Sequence, residues 1–145
     1  KAGKAANFAE SFTMQIINVA AETCELHMTW GNAQVAVPIS TNIKDRVRAQ
    51  IEKALAADNI QANTYNTAAN FYYEFDKDYT KAIVNITKAV EASKDAYWMV
   101  LLKARIEKAL GDKVSAKASA QKCIEMATGK NADYVTFANE LIKSL

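Results

Sequence analysis

Asn63, Asn66, Asn70 and Tyr73 recur at spacings of three and four, which places them on one face of a single predicted helix. Asn is a poor helix former because its amide competes for nearby backbone groups, so three on one face cost stability that something should offset. The chemistry they offer is recognition by hydrogen bonding rather than reaction. Trp98 and Arg105 fall on the corresponding stripe of a later helix, and a Trp beside an Arg can hold an extended peptide or a carboxylate. These six residues are the candidate peptide-binding groove. Each has an ordinary alternative: the amides can bond a neighbouring loop or strand, and a Trp at the start of an apolar helix is more often core.

Reactive chemistry has little to build on. His27 is the single histidine, with no nucleophile signature near it, and its place on the polar side of a strand predicts a solvated side chain. There is no G-x-S-x-G, no glycine-rich phosphate loop and no H-E-x-x-H. Glu74, Asp76 and Asp78 cluster before a predicted helix, where capping and solvation are their expected work. The "NIT" at Asn85 falls inside a helix and is not read as a glycosylation acceptor. Cys24 and Cys123 stand far apart without metal-ligand spacing, and read as free thiols with a disulfide between them as the alternative. No catalytic residue, metal or cofactor is expected, and the chain does not read as an enzyme.

The elements that must position the groove change period near residue 40. Over residues 11–39, Cys24, Leu26, Met28 and Trp30 alternate with Glu25, His27 and Thr29, as in half-buried strands. Gly31-Asn32 is a two-residue hairpin signal, a further turn is expected around Ala21-Glu22, and Pro38 suits an edge. The expectation is a three-stranded antiparallel meander over residues 1–40. From Thr41 the period becomes helical, with Asp78, Asp95, Asp112 and Asn131 as candidate N-caps and Gly111 and Gly129 as stops. Residues 41–145 therefore predict about six antiparallel helices on short connections, in a mainly α protein. The 145 residues carry 18 basic and 16 acidic side chains, a net charge of +2 with no dense basic run, which argues against nucleic acid. No apolar segment approaches the ~20 residues of a membrane span.

The helices also repeat. Asp78, Ala82, Lys88 and Ala89 recur as Asp112, Ala116, Lys122 and Cys123 at a spacing of 34, the spacing of tetratricopeptide repeats. Tyr65, Ala68, Ala69 and Tyr72 resemble that family's large-small-small-large interlock, with one extra residue in the loop before Asp78 as a departure. Phe71 and Phe75, four apart, read as a second apolar stripe of the same helix, and hence as core. Tyr134, Phe137, Ala138, Leu141 and Leu145 form the apolar stripe of the last helix.

Strands and helices together resemble something narrower. "ESFTMQIINVAAETCELHMTWGNAQVAVPIST", the "AANFYYE" block and "DAYW" leading to "LGD" resemble the C-terminal half of a family of exported bacterial proteins of unknown function, built from an all-β domain followed by tetratricopeptide-like helices. That resemblance implies a periplasmic or cell-envelope location, the meander being the end of a larger β-sandwich. A cytoplasmic repeat module is the alternative. It brings no activity and no catalytic residues. The leading function is a protein or peptide interaction module using the concave helical face. The alternatives are an assembly role through β-strand pairing, or a carbohydrate or ligand accessory to an upstream β-domain. For the first of these, strand Ser11–Val19 is the edge expected to pair with a second copy or a partner β-domain.

Overall fold

The computed structural model describes residues 2–20 and 22–145. Ala21, half of the expected Ala21-Glu22 turn, lies outside the described residues, as does Lys1. The chain divides into two compact units, residues 1–47 and 48–145.

The first unit is a ribbon of two antiparallel strands, β1 (Gly3–Ile17) and β2 (Thr23–Ser40). Two strands thus replace the expected three. The reason lies at Gly31, which has φ +58° as a turn glycine would, yet bends β2 without ending it. That β2 turns back is required by its ends: the Thr41 amide donates to the Glu22 carbonyl at 2.9 Å. A straight strand of this length would hold those residues roughly 60 Å apart. β1 takes the longer path around the bend. From Lys4↔Ala33 to Ala9↔Gly31, and from there to Thr13↔Thr29, it advances five and then four residues while β2 advances two each time. Such extra residues are bulges, which bend the strand that carries them. Asn18, with φ +52°, starts the reversal between the strands, and the Ala20 amide donates to the Thr23 carbonyl at 2.8 Å. Pro38 lies beyond Gln34, where pairing with β1 ends.

Direct cross-strand partners share a face, so Met14–Met28 and Ile16–Leu26 make one side of the ribbon apolar, and Thr13–Thr29 and Gln15–His27 make the other polar. His27 is not solvated there. Its side chain is 17% exposed. Its Nε2 donates to Glu25 Oε2 and its Nδ1 accepts from Gln34 Nε2, both at 2.7 Å. Asn18 Nδ2 donates to the other Glu25 oxygen at 3.2 Å, and these two hydrogen bonds, His27's first, hold the Glu25 carboxyl below its ordinary range.

Six helices follow: α1 (Ile43–Leu55), α2 (Ala62–Phe71), α3 (Tyr79–Ala92), α4 (Tyr97–Ala109), α5 (Lys113–Ala127) and α6 (Ala132–Lys143). Among the described residues no helix is long and apolar enough to cross a membrane. From α2 onward each helix packs on the next, and α4 also reaches α6. Asp78 and Asp112 cap α3 and α5 alike, each accepting the amide three residues on at 3.0 Å, and Asn131 caps α6 through the Asp133 amide. Asp95 does not cap α4. Ala96 holds that position without a side-chain bond, and Asp95 accepts the Tyr97 amide through its backbone carbonyl. Gly111 and Gly129 follow α4 and α5 with φ of +83° and +76°, the left-handed stop expected of them.

The 34-residue offset is realised in the core. Ala82 and Ala116, Ile86 and Ala120, and Ala89 and Cys123 are all fully buried. Ala69, Tyr72 and Leu141 are buried as their stripes require, while Tyr65 is half-buried beneath the Lys88 ammonium. Both cysteines are free thiols; Cys123 is buried and Cys24 half-buried. Asn85 is buried in α3, its amide donating to the Lys81 carbonyl at 2.9 Å, which leaves no room for a glycan.

One buried group is poorly served. Glu107 is 6% exposed, its Oε2 has no hydrogen-bond partner, and Lys103 Nζ stands 3.9 Å from Oε1. Burial pushes its carboxyl up, against the opposing pull of Ser119 and Lys103. An acid whose folded value is raised contributes full stability below its unfolded value and loses it as pH rises through the folded one. Glu107→Gln should therefore flatten the decline of melting temperature from acid to neutral pH, and stabilise the neutral protein by about 1 kcal/mol. Urea titration of Ala82→Leu should show the opposite sign, a loss of about 1–3 kcal/mol by overpacking.

Candidate functional site

The face that the asparagines were expected to form is built around an irregular turn. After Phe71 the chain makes one π turn, Tyr72–Asp76, before Lys77 takes a left-handed conformation with φ +56° and the Asp78 amide closes on the Tyr72 carbonyl at 2.9 Å. A π turn holds one residue more than an α turn. This is where the extra residue before Asp78 goes. Arg48 of α1 grips the turn from outside: its Nε and Nη2 donate to the two oxygens of Asp76, each at 2.8 Å. The Asp76 side chain is only 9% exposed, so the expectation that it faces water is corrected. Phe75, expected in the core, is 48% exposed, because the wider turn carries it off the stripe of Phe71, on which its ring stacks at 5.9 Å.

Within the helical unit two adjoining concavities share Arg105 and Phe137. The first, about 290 Å³, is lined by Asn66 and Asn70 of α2, Trp98, Leu101, Leu102 and Arg105 of α4, and Tyr134 and Phe137 of α6. The second, about 550 Å³, is lined by Tyr73 of the π turn, Arg105, Lys108 and Ala109 of α4, and Phe137, Glu140, Leu141 and Ser144 at the end of α6. Five of the six groove candidates are thus on these walls, four in the first concavity and Tyr73 with Arg105 in the second. Asn63 lines neither and is exposed. Tyr73 leaves the asparagine line because the π turn rotates it away from the α-helical path. Trp98, Leu101, Arg105 and Lys108 repeat the asparagine stripe at an offset of 35, one more than the core repeat, again because of that turn.

The walls mix four aromatic side chains, Tyr73, Trp98, Tyr134 and Phe137, with polar and aliphatic ones. Tyr97 sets its ring edge-to-face on Trp98 at 5.1 Å and on Tyr134 at 5.0 Å, and Tyr134 does the same to Phe137 at 6.1 Å. This chain of rings fixes the orientation of Trp98, which is 44% exposed. Asn70 spends one amide proton on the Asn66 carbonyl at 2.9 Å, and its carboxamide oxygen remains on the wall. Among the described residues no carboxylate lies within salt-bridge distance of Arg105, although Glu140 shares the second concavity. Lys108 Nζ donates to Ser144 Oγ at 2.7 Å. Burial, opposed by Arg105, pushes the Tyr73 phenol up, so it stays neutral and can donate a hydrogen bond. No three potential metal-ligating side chains meet among the described residues.

Leu102, Lys108, Tyr134, Phe137 and Glu140 were not expected here. Phe137 was assigned to the core of the last helix, and its 44% exposure shows that it sits at the margin of that stripe. The offset that carries Trp98 and Leu101 to Tyr134 and Phe137 is 36, and the 34-residue core repeat does not reveal it. No protein-family profile matches the chain, and no curated protein is significantly similar to it.

The turn that displaces Tyr73 depends on Arg48. Arg48→Met removes two charge-assisted hydrogen bonds and should cost about 1–3 kcal/mol. Amide exchange should locate the loss, with the Asp78 amide exchanging faster while the α4 and α5 amides keep their relative protection.

Proposed function

We propose that the helical unit is a tetratricopeptide-like interaction module that binds an extended peptide along the wall made by α2, α4 and α6. The observation that carries this reading is the origin of the lining residues. Every one of them comes from α2 and its π turn, from α4, or from α6 and its last turn, and none from α3 or α5. Alternate helices forming one wall is what a stack of helix pairs produces, and the 34-residue recurrence of caps and buried small residues supports the same architecture.

The wall also has the chemistry an extended chain needs. Asn66 and Asn70 offer carboxamides to a backbone without side-chain preference, Trp98 and Phe137 offer apolar surface to alternate side chains, and Arg105 offers a two-pronged donor to a carboxylate. A backbone bonded by asparagines pays little for its own side-chain identity, so specificity rests on the aromatic positions and on Arg105.

Selection from a displayed random-peptide library on the 145-residue chain should yield binders, measured afterwards by calorimetry. Replacing Asn66, Asn70 and Arg105 together by Ala should weaken them by about tenfold to a hundredfold without lowering the melting temperature, since none of the three is core and Ala is the better helix former. Amidating the peptide's C-terminus distinguishes a bound terminal carboxylate from an internal acidic side chain. Failure to select any binder, or full affinity in the triple variant, ends the proposal.

A further inference from the structure

The ribbon's apolar side is open. Met14 and Ile16 are 63% and 64% exposed, Trp30 extends the same face of β2 at 69%, and Phe12, two residues before Met14, is 58% exposed. Leu26 and Met28 complete the face and are half-buried. A two-stranded ribbon is at best marginally stable by itself, and contiguous apolar surface of this kind marks a contact.

We propose that this face docks on the same face of a second copy of the chain. Three observations select that occupant. None of the six side chains is charged, so two copies related by a two-fold axis meet without burying an unpaired charge, whereas a charged partner would find nothing to answer it. The exposed part of the patch amounts to roughly 600 Å² per copy, hence about 1,200 Å² in a face-to-face pair, the lower bound for a specific stable interface. Third, the register shifts between Lys4 and Thr13 leave only Thr13–Ile17 as a regular stretch of β1, a short edge that disfavours strand addition and leaves the face as the surface for contact.

Sedimentation equilibrium of the 145-residue chain across the micromolar range should show a reversible dimer. Met14→Lys with Trp30→Lys should raise its dissociation constant at least a hundredfold while the circular dichroism spectrum is unchanged, because both sites are exposed in the single chain and like charges then face each other across the two-fold axis. In a Trp98→Phe background Trp30 is the sole tryptophan, and its emission should shift to the blue as concentration rises. A wild-type chain that stays monomeric at high micromolar concentration overturns the proposal, and if its Trp30 emission is already blue, the face is covered from within the chain. A dimer that survives the double substitution, or that forms without moving Trp30 emission, also overturns it.

Discussion

Alanine sets the geometry of the helical unit. Ala68 and Ala69 of α2, Ala82 and Ala89 of α3, Ala104 of α4, Ala116, Ala120 and Ala127 of α5 and Ala138 of α6 all have no exposed surface. A methyl group at each contact lets helix axes come to the close end of the usual 8–10 Å range, and leaves the larger side chains of Tyr72, Ile86, Val100, Leu101 and Ile106 to fill the space beside the contacts. Close approach of neighbours is also what turns the alternate helices α2, α4 and α6 into one wall. Small residues at the contacts and large aromatic ones on the wall are therefore two sides of one packing solution.

The π turn departs from regular helical spacing, and it divides the wall in two. Up to Asn70 the α-helical path keeps the asparagines in line. Beyond Phe71 the wider turn sends Tyr73 toward Arg105 and Lys108, Phe75 toward solvent and Asp76 toward Arg48. An ion pair with little exposed carboxylate fixes the turn. Neither Arg48 nor Asp76 lines either of these two concavities, so the pair bears on the wall through the turn.

Much of this is legible in the amino-acid sequence, and the departures have identifiable causes. Asp78, Asp112 and Asn131 were readable as caps because each stands between a left-handed or loop residue and an apolar period. Asp95 looked the same, but the helix begins one residue further on, at an alanine with no side chain to bond. Gly31-Asn32 carries the signature of a tight hairpin, and the backbone there does reverse; the chain stays extended through it because bulges on β1 absorb the difference in path. The place of His27 on the polar side predicts a solvated ring, since nothing in a period of two reveals that Gln34 and Glu25 close on both ring nitrogens. Phe75 and Phe137 failed for a shared reason: a hydrophobic stripe read at a fixed period cannot register a π turn or tell the margin of a stripe from its centre.

The two units also differ in how far along the chain their contacts reach. In the helical unit each helix from α2 onward meets the next across a connection of a few residues, so most of these contacts close short loops, and the entropy of closure is small and incurred in steps. The ribbon is joined instead through Gly3 and Gln34, near its far ends, and through Glu22 and Thr41 across the whole of β2. Those closures bring little reward until several register together. Low contact order gives the helices a short search, and the bulged ribbon a longer one. A nascent chain, however, delivers the ribbon first, so its apolar face leaves the ribosome before the helices exist.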